Sequence, residues 1–354
     1  MALLHWGRKR SVIVGDHHWG SKRLAFFGAA CHIRRMARHP MLTQAIALTN
    51  AGRNADAVQL IRQVAATGDS EALGVLAEMT WRGGLVEQDP KRARTLFEQA
   101  AARGNGKSNL VITNLLASGV AGKQDWALAM ERLRIEARQL PARHKALNLI
   151  KAMDLDAEGN PRAIPKGIKL SDDPEVVQFT QLLTSAECRY LMEATGNQFE
   201  PSMVYNSNRQ LVRDEIRTSD GSTIHWQIED PAVVALNRRI ATVSGSRYES
   251  GEPLALLRYS PGQEYRPHFD FVKGAENRRL MTALIYLNDD YEGGETAFVR
   301  TGLKVKGKTG DVILFHNAGS DGGPNPLSEH AGLPITKGVK FLATRWIREA
   351  RWIP

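Results

Sequence analysis

Between residues 56 and 140 the apolar positions recur at helical spacing, and the whole pattern recurs every 36 residues. AVQLIRQVAATGD (57–69), ARTLFEQAAARGN (93–105) and ALAMERLRIEARQ (127–139) are versions of one helix. ALGVLAEMTWRGG (72–84) and SNLVITNLLASGV (108–120) are versions of its partner. Gly68 recurs as Gly104, Gly83 as Gly119, Asp89 as Asp125 and Ala93 as Ala129. Glycines end helices and alanines let them pack closely, so the segment predicts a helix-turn-helix solenoid of about two and a half repeats. So few repeats cannot bury a full solenoid core, and the segment is expected to lean on its neighbour.

After this the period is lost. DLDAEGNPRAIPKGIKLSDDP (154–174) carries three prolines and reads as a linker. Helical patterning returns in TSAECRYLMEATG (184–196), where Thr184 and Glu187 form a capping box and Gly196 a stop, and in DPAVVALNRRIATVSG (230–245). The rest switches to short β-type runs between Gly, Pro and Asp: LALLRY (254–259), MTALIYLND (281–289), ETAFV (295–299), LKVKG (303–307), DVILFH (311–316) and KFLATRWI (340–347). The pattern predicts a multidomain α+β chain, with an N-terminal α-helical repeat and a C-terminal jelly-roll or cupin-like barrel with supporting helices. The expected division is a basic tail (1–40), the repeat (41–150), a linker (151–174) and the β-rich unit (175–354).

Composition changes this picture little. The chain of 354 residues is 42% hydrophobic and 24% charged, with no apolar run near a membrane span, so no membrane partner is expected. Its two cysteines, Cys31 and Cys188, make no disulfide framework, which suits a cytoplasmic location. The net charge of +9 suggests nucleic acid until it is located. Residues 1–40 hold eight basic residues against Asp16, so the remaining 314 residues carry only +2 and need no basic groove. That first segment has no period and reads as a flexible tail, or as an over-long start with Met36 or Met41 as the first residue. SKRLAFFGAAC (21–31) faintly resembles a signal peptide, but its apolar core is short and begins late.

The chemistry centres on EYRPHFDFV (264–272). In a strand, His268 and Asp270 would share one face while Phe269 turns to the other. They make two ligands of a metal site or a hydrogen-bonded pair. His316 and His330 lie downstream as a third donor, and His316 reads as a strand-end histidine near the core. Ten residues after His330, Lys340 opens a strand on which Lys340, Leu342, Thr344 and Trp346 share a face. Leu342 turns that face into the barrel, where a lysine needs a negative partner. An anionic cosubstrate would supply one. Two histidines and one carboxylate form the facial triad of non-haem iron(II) oxygenases. Zinc hydrolysis could use the same ligands but leaves Lys340 unexplained.

RYSPGQEYRPHFD (258–270), RRLMTALIYLNDDYEGGETAF (278–298), GDVILFHN (310–317) and HAGLPITKGVKFLATRWI (330–347), with IRTSDG (216–221) before them, agree in order and spacing with one family. Over about residues 175–350 the chain resembles the prolyl 4-hydroxylase branch of the iron(II)/2-oxoglutarate-dependent dioxygenases. The helical segment resembles tetratricopeptide-related repeats of 36-residue period. The resemblance implies a double-stranded β-helix in which His268, Asp270 and His330 bind iron and Lys340 pairs with the distal carboxylate of 2-oxoglutarate. It implies further that Tyr259, Thr282 and Trp346 line the cosubstrate pocket, and that Tyr265, Arg279 and Arg217 face the substrate. Iron(II), 2-oxoglutarate and O2 are then required, L-ascorbate is the accompanying reductant, and the target is a prolyl C–H in a protein or peptide that the repeat could hold. Glu329 stands where the family often has Leu, and Arg345 where Lys is common, which leaves substrate choice open. A nucleic-acid demethylase of the superfamily would use an arginine for the cosubstrate, but Arg345 faces opposite to Lys340. Two readings stay beside this one: a repeat-based interaction protein whose barrel binds ligand without turnover, and the same chemistry on a non-prolyl substrate. The intact triad and Lys340 favour a prolyl hydroxylase.

Overall fold

The computed structural model describes residues 39–195, 198–205, 211–213, 216–319 and 321–353. The basic tail, apart from its last two residues, and the stop at Gly196 lie outside them. Seven helices come first: α1 (Pro40–Asn50), α2 (Asn54–Ala66), α3 (Ser70–Arg82), α4 (Pro90–Ala102), α5 (Gly106–Ser118), α6 (Trp126–Glu136) and α7 (Pro141–Ala152). The 36-residue period is visible in their caps. Asp69 and its repeat mate Asn105 accept the backbone N–H of Ala72 and Ser108, and Asp89 and Asp125 do the same for Arg92 and Leu128. Gly83 and Gly119 end the partner helices at φ 74°, a conformation that side chains resist. α7 completes a third pair that the sequence pattern did not reveal, because Leu155 stands where the next capping glycine would fall.

Two further helices, α8 (Ser185–Ala194) and α9 (Pro231–Val243), support the strands. The Thr184–Glu187 capping box starts α8. The strands are β1 (Ile168–Asp172), β2 (Glu175–Phe179), β3 (Glu200–Pro201), β4 (Met203–Tyr205), β5 (Leu211–Arg213), β6 (Asp220–Ile224), β7 (Leu254–Tyr259) and β8 (Tyr265–His268). After them come β9 (Arg279–Tyr286), β10 (Glu292–Gly293), β11 (Thr296–Phe298), β12 (Lys304–Val305), β13 (Val312–His316), β14 (His330–Gly332), β15 (Ile335–Lys337) and β16 (Lys340–Arg348). A large antiparallel sheet runs β1-β2-β13-β9-β16-β7-β6-β3 and a small one β12-β11-β14-β8. Part of the segment read as linker is thus a strand: β1 pairs with β2 at the sheet edge, where its exposed, mixed residues give no period.

Strand parity sorts the residues into two cores. Leu257, Leu284, Ile313 and Leu342 pack between the sheets with Phe298 and Val305 of the small sheet. Ala283, Ile285, Val312, Ala343 and Ile347 face α8 and α9, meeting Cys188, Leu191, Val233, Leu236 and Ile240. The other side of α9 packs against the N-terminal helices. Ala232, Val234 and Ala235 lie in one apolar cluster with Leu115, Trp126, Leu133 and Leu147, and Ile353 joins them. Polar groups are matched across this seam. Asn114 donates to the Gln227 carbonyl at 2.8 Å, and Arg238 donates to the Ala117 carbonyl at 2.6 Å. Beside them, Arg143 pairs with Glu136 at 3.1 Å and donates to Asn114 Oδ1 at 2.9 Å. The helices and the barrel therefore share a core. Among the described residues no helix is long and apolar enough to cross a membrane.

Candidate active site

β8 delivers Tyr265 and His268 and then ends. His268 sits opposite His330 of β14 in the ladder. Asp270 lies in a bend beyond the strand, which corrects the expectation that one strand carries both side chains. A hydrogen bond holds the turn instead: Thr282 Oγ1 of β9 donates to Asp270 Oδ2 at 2.7 Å. Phe269 still turns outward, 39% exposed. Asp270 Oδ1 comes within 3.8 Å of His268 Nε2, and Asp270 Oδ2 within 3.7 Å of His330 Nε2. One donor atom from each of the three residues lies within 4.8 Å of the others.

The histidines are oriented alike. His268 Nδ1 donates to the Arg266 carbonyl at 2.9 Å and His330 Nδ1 to the Ser328 carbonyl at 3.0 Å. Each ring so keeps its Nε2 lone pair for the space beside Asp270. Burial and the neighbouring His330 push the His268 imidazole down to about 3, so it is neutral. Burial opposes ionisation of Asp270, but His330, His268, Arg279 and the Thr282 hydroxyl together hold its carboxyl below the usual range. Two imidazoles and a carboxylate aimed at one point fit a divalent metal such as iron(II). The Tyr265 ring stacks on His268, centroids 3.4 Å apart at 15°, and the Arg217 guanidinium lies 5.2 Å from the Tyr265 centroid. His316 is exposed at the end of β13, rather than near the core, and is no part of the donor cluster.

Lys340 stands across the same pocket, directly opposite Tyr259 in the ladder. It is 3% exposed, and its ammonium donates to the Gly294 carbonyl at 2.7 Å beneath the rings of Tyr259, Tyr286 and Tyr291. Burial outweighs the attraction of Glu295, and Lys306 adds repulsion, so its pKa is pushed down to about 7. Among the described residues it forms no ion pair with a carboxylate. The pocket is lined by Tyr259, His268, Asp270, His330, Lys340 and Trp346 among others. A buried cation lacking an acid, facing three metal donors, fits a dicarboxylate such as 2-oxoglutarate.

The other expected residues are placed less uniformly. Tyr259, Tyr265, Arg217 and Trp346 line the pocket, and the buried indole N–H of Trp346 has no partner among the described residues. Thr282 lies behind Asp270 and off the pocket wall. Arg279 is also off the wall. Glu252 holds it through two bonds of 2.6 and 2.9 Å, and it packs 4.0 Å from the Trp346 ring centroid. Arg345, on the opposite face of β16, donates to the Tyr248 carbonyl at 3.0 Å. The sequence reading passed over Glu252, Gly294 and Asn317. Only Gly294 left a signal, in the GG of DYEGGETAF: its φ is +70° and a Cβ there would strike Ile335 and crowd Lys340.

A profile of the 2OG-Fe(II) oxygenase superfamily matches residues 254–348. Prolyl 4-hydroxylase 1 of Arabidopsis thaliana is 34% identical over 218 residues, covering 56% of this chain and 77% of that protein. The chain belongs to the prolyl 4-hydroxylase family. Among solved structures, the viral collagen prolyl hydroxylase of Paramecium Bursaria Chlorella virus-1, in its 2OG complex, aligns over 51% of this chain and 99% of its own. Its identity is 25% and its TM-score 0.42. Along 34% of this chain and 26% of its own, c5321 of uropathogenic Escherichia coli, described as displaying an SLR fold, is 28% identical with a TM-score of 0.29. As a prolyl 4-hydroxylase family member the protein is a 2-oxoglutarate/Fe(II)-dependent dioxygenase, and the family implies iron(II), 2-oxoglutarate and O2.

Proposed function

We propose that this enzyme hydroxylates a prolyl residue of a protein or peptide, with His268, Asp270 and His330 holding iron(II) and Lys340 holding the distal carboxylate of 2-oxoglutarate. The observation that carries the reading is one pocket containing both a three-donor cluster and a buried ammonium that pairs with no acid among the described residues. Bound there, iron(II) and 2-oxoglutarate supply the oxidation that couples decarboxylation to C–H hydroxylation. The chain's own residues orient and shield. Leu257, Leu284 and Leu342 make the pocket walls apolar and exclude water, and Tyr259 would line the place of the cosubstrate. Tyr265 stacks on His268 and Arg217 lies over Tyr265, so both would face an arriving substrate, and Arg279 holds Trp346 against the pocket. L-Ascorbate is the reductant in this reading and the cytoplasm the compartment. In this reading a tail precedes α1, helices α1 to α7 form the repeat, a connecting segment follows α7, and the oxygenase unit begins with β1. The repeat holds the substrate protein, and its shared core with α9 fixes it relative to the pocket.

The test is carbon dioxide and succinate release from 2-oxoglutarate with iron(II), against peptides with and without proline, followed by mass analysis. One added oxygen on a prolyl residue is expected. Oxygen appearing only on another residue type would move the substrate while keeping the reaction.

Lys340→Ala should weaken 2-oxoglutarate binding about ten- to a hundredfold, the loss of a charge-assisted contact worth roughly 1.5–3 kcal/mol, with metal affinity little changed. The ammonium of the free site deprotonates as pH rises through about 7, while a bound carboxylate keeps it protonated. Affinity should therefore fall by up to about tenfold per pH unit above 7, and Lys340→Ala should lack that slope. Calorimetry with the manganese(II)-loaded enzyme reads both. Wild-type affinity in Lys340→Ala would remove this residue from the site.

A further inference from the structure

Behind the triad, on the side away from the pocket, lies a group of polar residues that neither cosubstrate nor substrate would touch. Thr282, Asn317 and Ser328 are all 0% exposed. Thr282 Oγ1 donates to Asp270 Oδ2 at 2.7 Å, yet a hydroxyl carries one proton and can rotate it elsewhere. Asn317 Nδ2 donates to that same Oγ1 at 2.9 Å. An amide N–H can only donate, so it occupies an acceptor lobe of Thr282 and leaves the hydroxyl proton for Asp270. The other end of Asn317 reaches a second candidate ligand. Its main-chain carbonyl accepts from the Asn325 N–H at 2.9 Å and its main-chain N–H donates to the Leu280 carbonyl at 2.8 Å, while the Ser328 hydroxyl donates to the Asn325 carbonyl at 2.7 Å. Ser328 supplies the carbonyl that takes His330 Nδ1–H.

We propose that the Asn317 side chain is a positioning group for the metal centre: it fixes the direction of the Thr282 proton, which holds Asp270 Oδ2 and leaves Oδ1 to bind metal, while the main chain of the same residue anchors the turn that orients His330. The inference rests on the triad reading. Its consequence is chemical. A carboxylate free to turn can take a metal with both oxygens and so fill a position that the open face needs for cosubstrate and O2. Holding one oxygen in a hydrogen bond prevents this.

The test uses the full chain and cobalt(II), whose visible spectrum reports affinity and coordination number without turnover. Thr282→Val should weaken cobalt(II) binding about ten- to a hundredfold, and Thr282→Ser, which keeps the hydroxyl, should recover most of that loss. Asn317→Leu, close in shape, should weaken binding comparably and change the cobalt(II) band intensity, and Asn317→Ala is the second route if the first does not fold. The double variant Thr282→Val/Asn317→Leu should bind no more weakly than Thr282→Val, because Asn317 acts through Thr282. Wild-type affinity and spectrum in a folded Asn317 variant, or losses that multiply in the double variant, would overturn the proposal. If the wild type does not bind cobalt(II), or Asp270→Ala binds it equally well, the triad reading fails instead.

Discussion

Asp270→Ala is expected to fold and to lose metal-dependent 2-oxoglutarate turnover to background, and His268→Ala and His330→Ala to do the same. The three donors converge from β8, the bend after it and β14, and nothing among the other described His, Cys, Asp and Glu residues forms a substitute cluster. Removing one leaves two ligands on a buried wall, too few to fix a labile divalent ion. The fold should survive. Deleting the Asp270 carboxylate strands the Thr282 hydroxyl, a loss of about 1–3 kcal/mol, but also removes a buried charge. His316→Ala is the control: its side chain is exposed and apart from the cluster, so metal content and turnover should stay at wild-type levels. Metal content by elemental analysis and succinate release read both. Metal lost in His316→Ala but retained in His330→Ala would reassign the third ligand.

Much of this site was legible because its residues obey short-range geometry. Lys340, Leu342 and Trp346 share the pocket by the two-residue period of β16, and His268 needs only its own strand. Asp270 was found by an argument that the structure replaces, since the ladder ends at His268 and a long-range bond from Thr282 turns the carboxylate back. Arg279 shows the limit of one-dimensional reading. Its partner Glu252 lies 27 residues earlier, and no local pattern says that the guanidinium is already taken. Asn317 is hidden for the same reason, because its role depends on a hydroxyl 35 residues away. In the fold, the N-terminal helices announced themselves by their recurring glycines, and α7 was lost where Leu155 breaks the series.

Deleting residues 41–150 is expected to cost the oxygenase unit its solubility, or at least most of its thermal stability. The deletion uncovers Ala232, Val234 and Ala235 of α9 together with Ile353, and takes away the Ala117 carbonyl from Arg238 and the Asn114 amide from the Gln227 carbonyl. Each large aliphatic side chain returned to water costs roughly 1.5–3 kcal/mol, and each buried polar group left unpaired about 1–3 kcal/mol. Several such losses approach the roughly 5–15 kcal/mol that holds a whole protein folded. A gentler variant, Val234→Asp, puts one carboxylate into the same seam and should lower the melting temperature while leaving every pocket residue in place. Circular dichroism of wild type should show helix and aromatic signals melting together. A soluble fragment 151–354 with wild-type melting temperature and cobalt(II) binding would show instead that the two units are independent.

The seam also sets a schedule for biosynthesis. Ala117 leaves the ribosome 121 residues before Arg238, the residue that caps its carbonyl. At roughly 5–20 residues per second that interval is about 6–24 s. Throughout it the apolar flank of α5 and α6 has no α9 to cover it. Nascent helices can form and pair locally in far less time, so the waiting species is a half-built stack with one greasy side. Synonymous changes that slow translation between codons 118 and 238 are expected to lengthen that exposure and to lower the yield of enzyme without altering the enzyme.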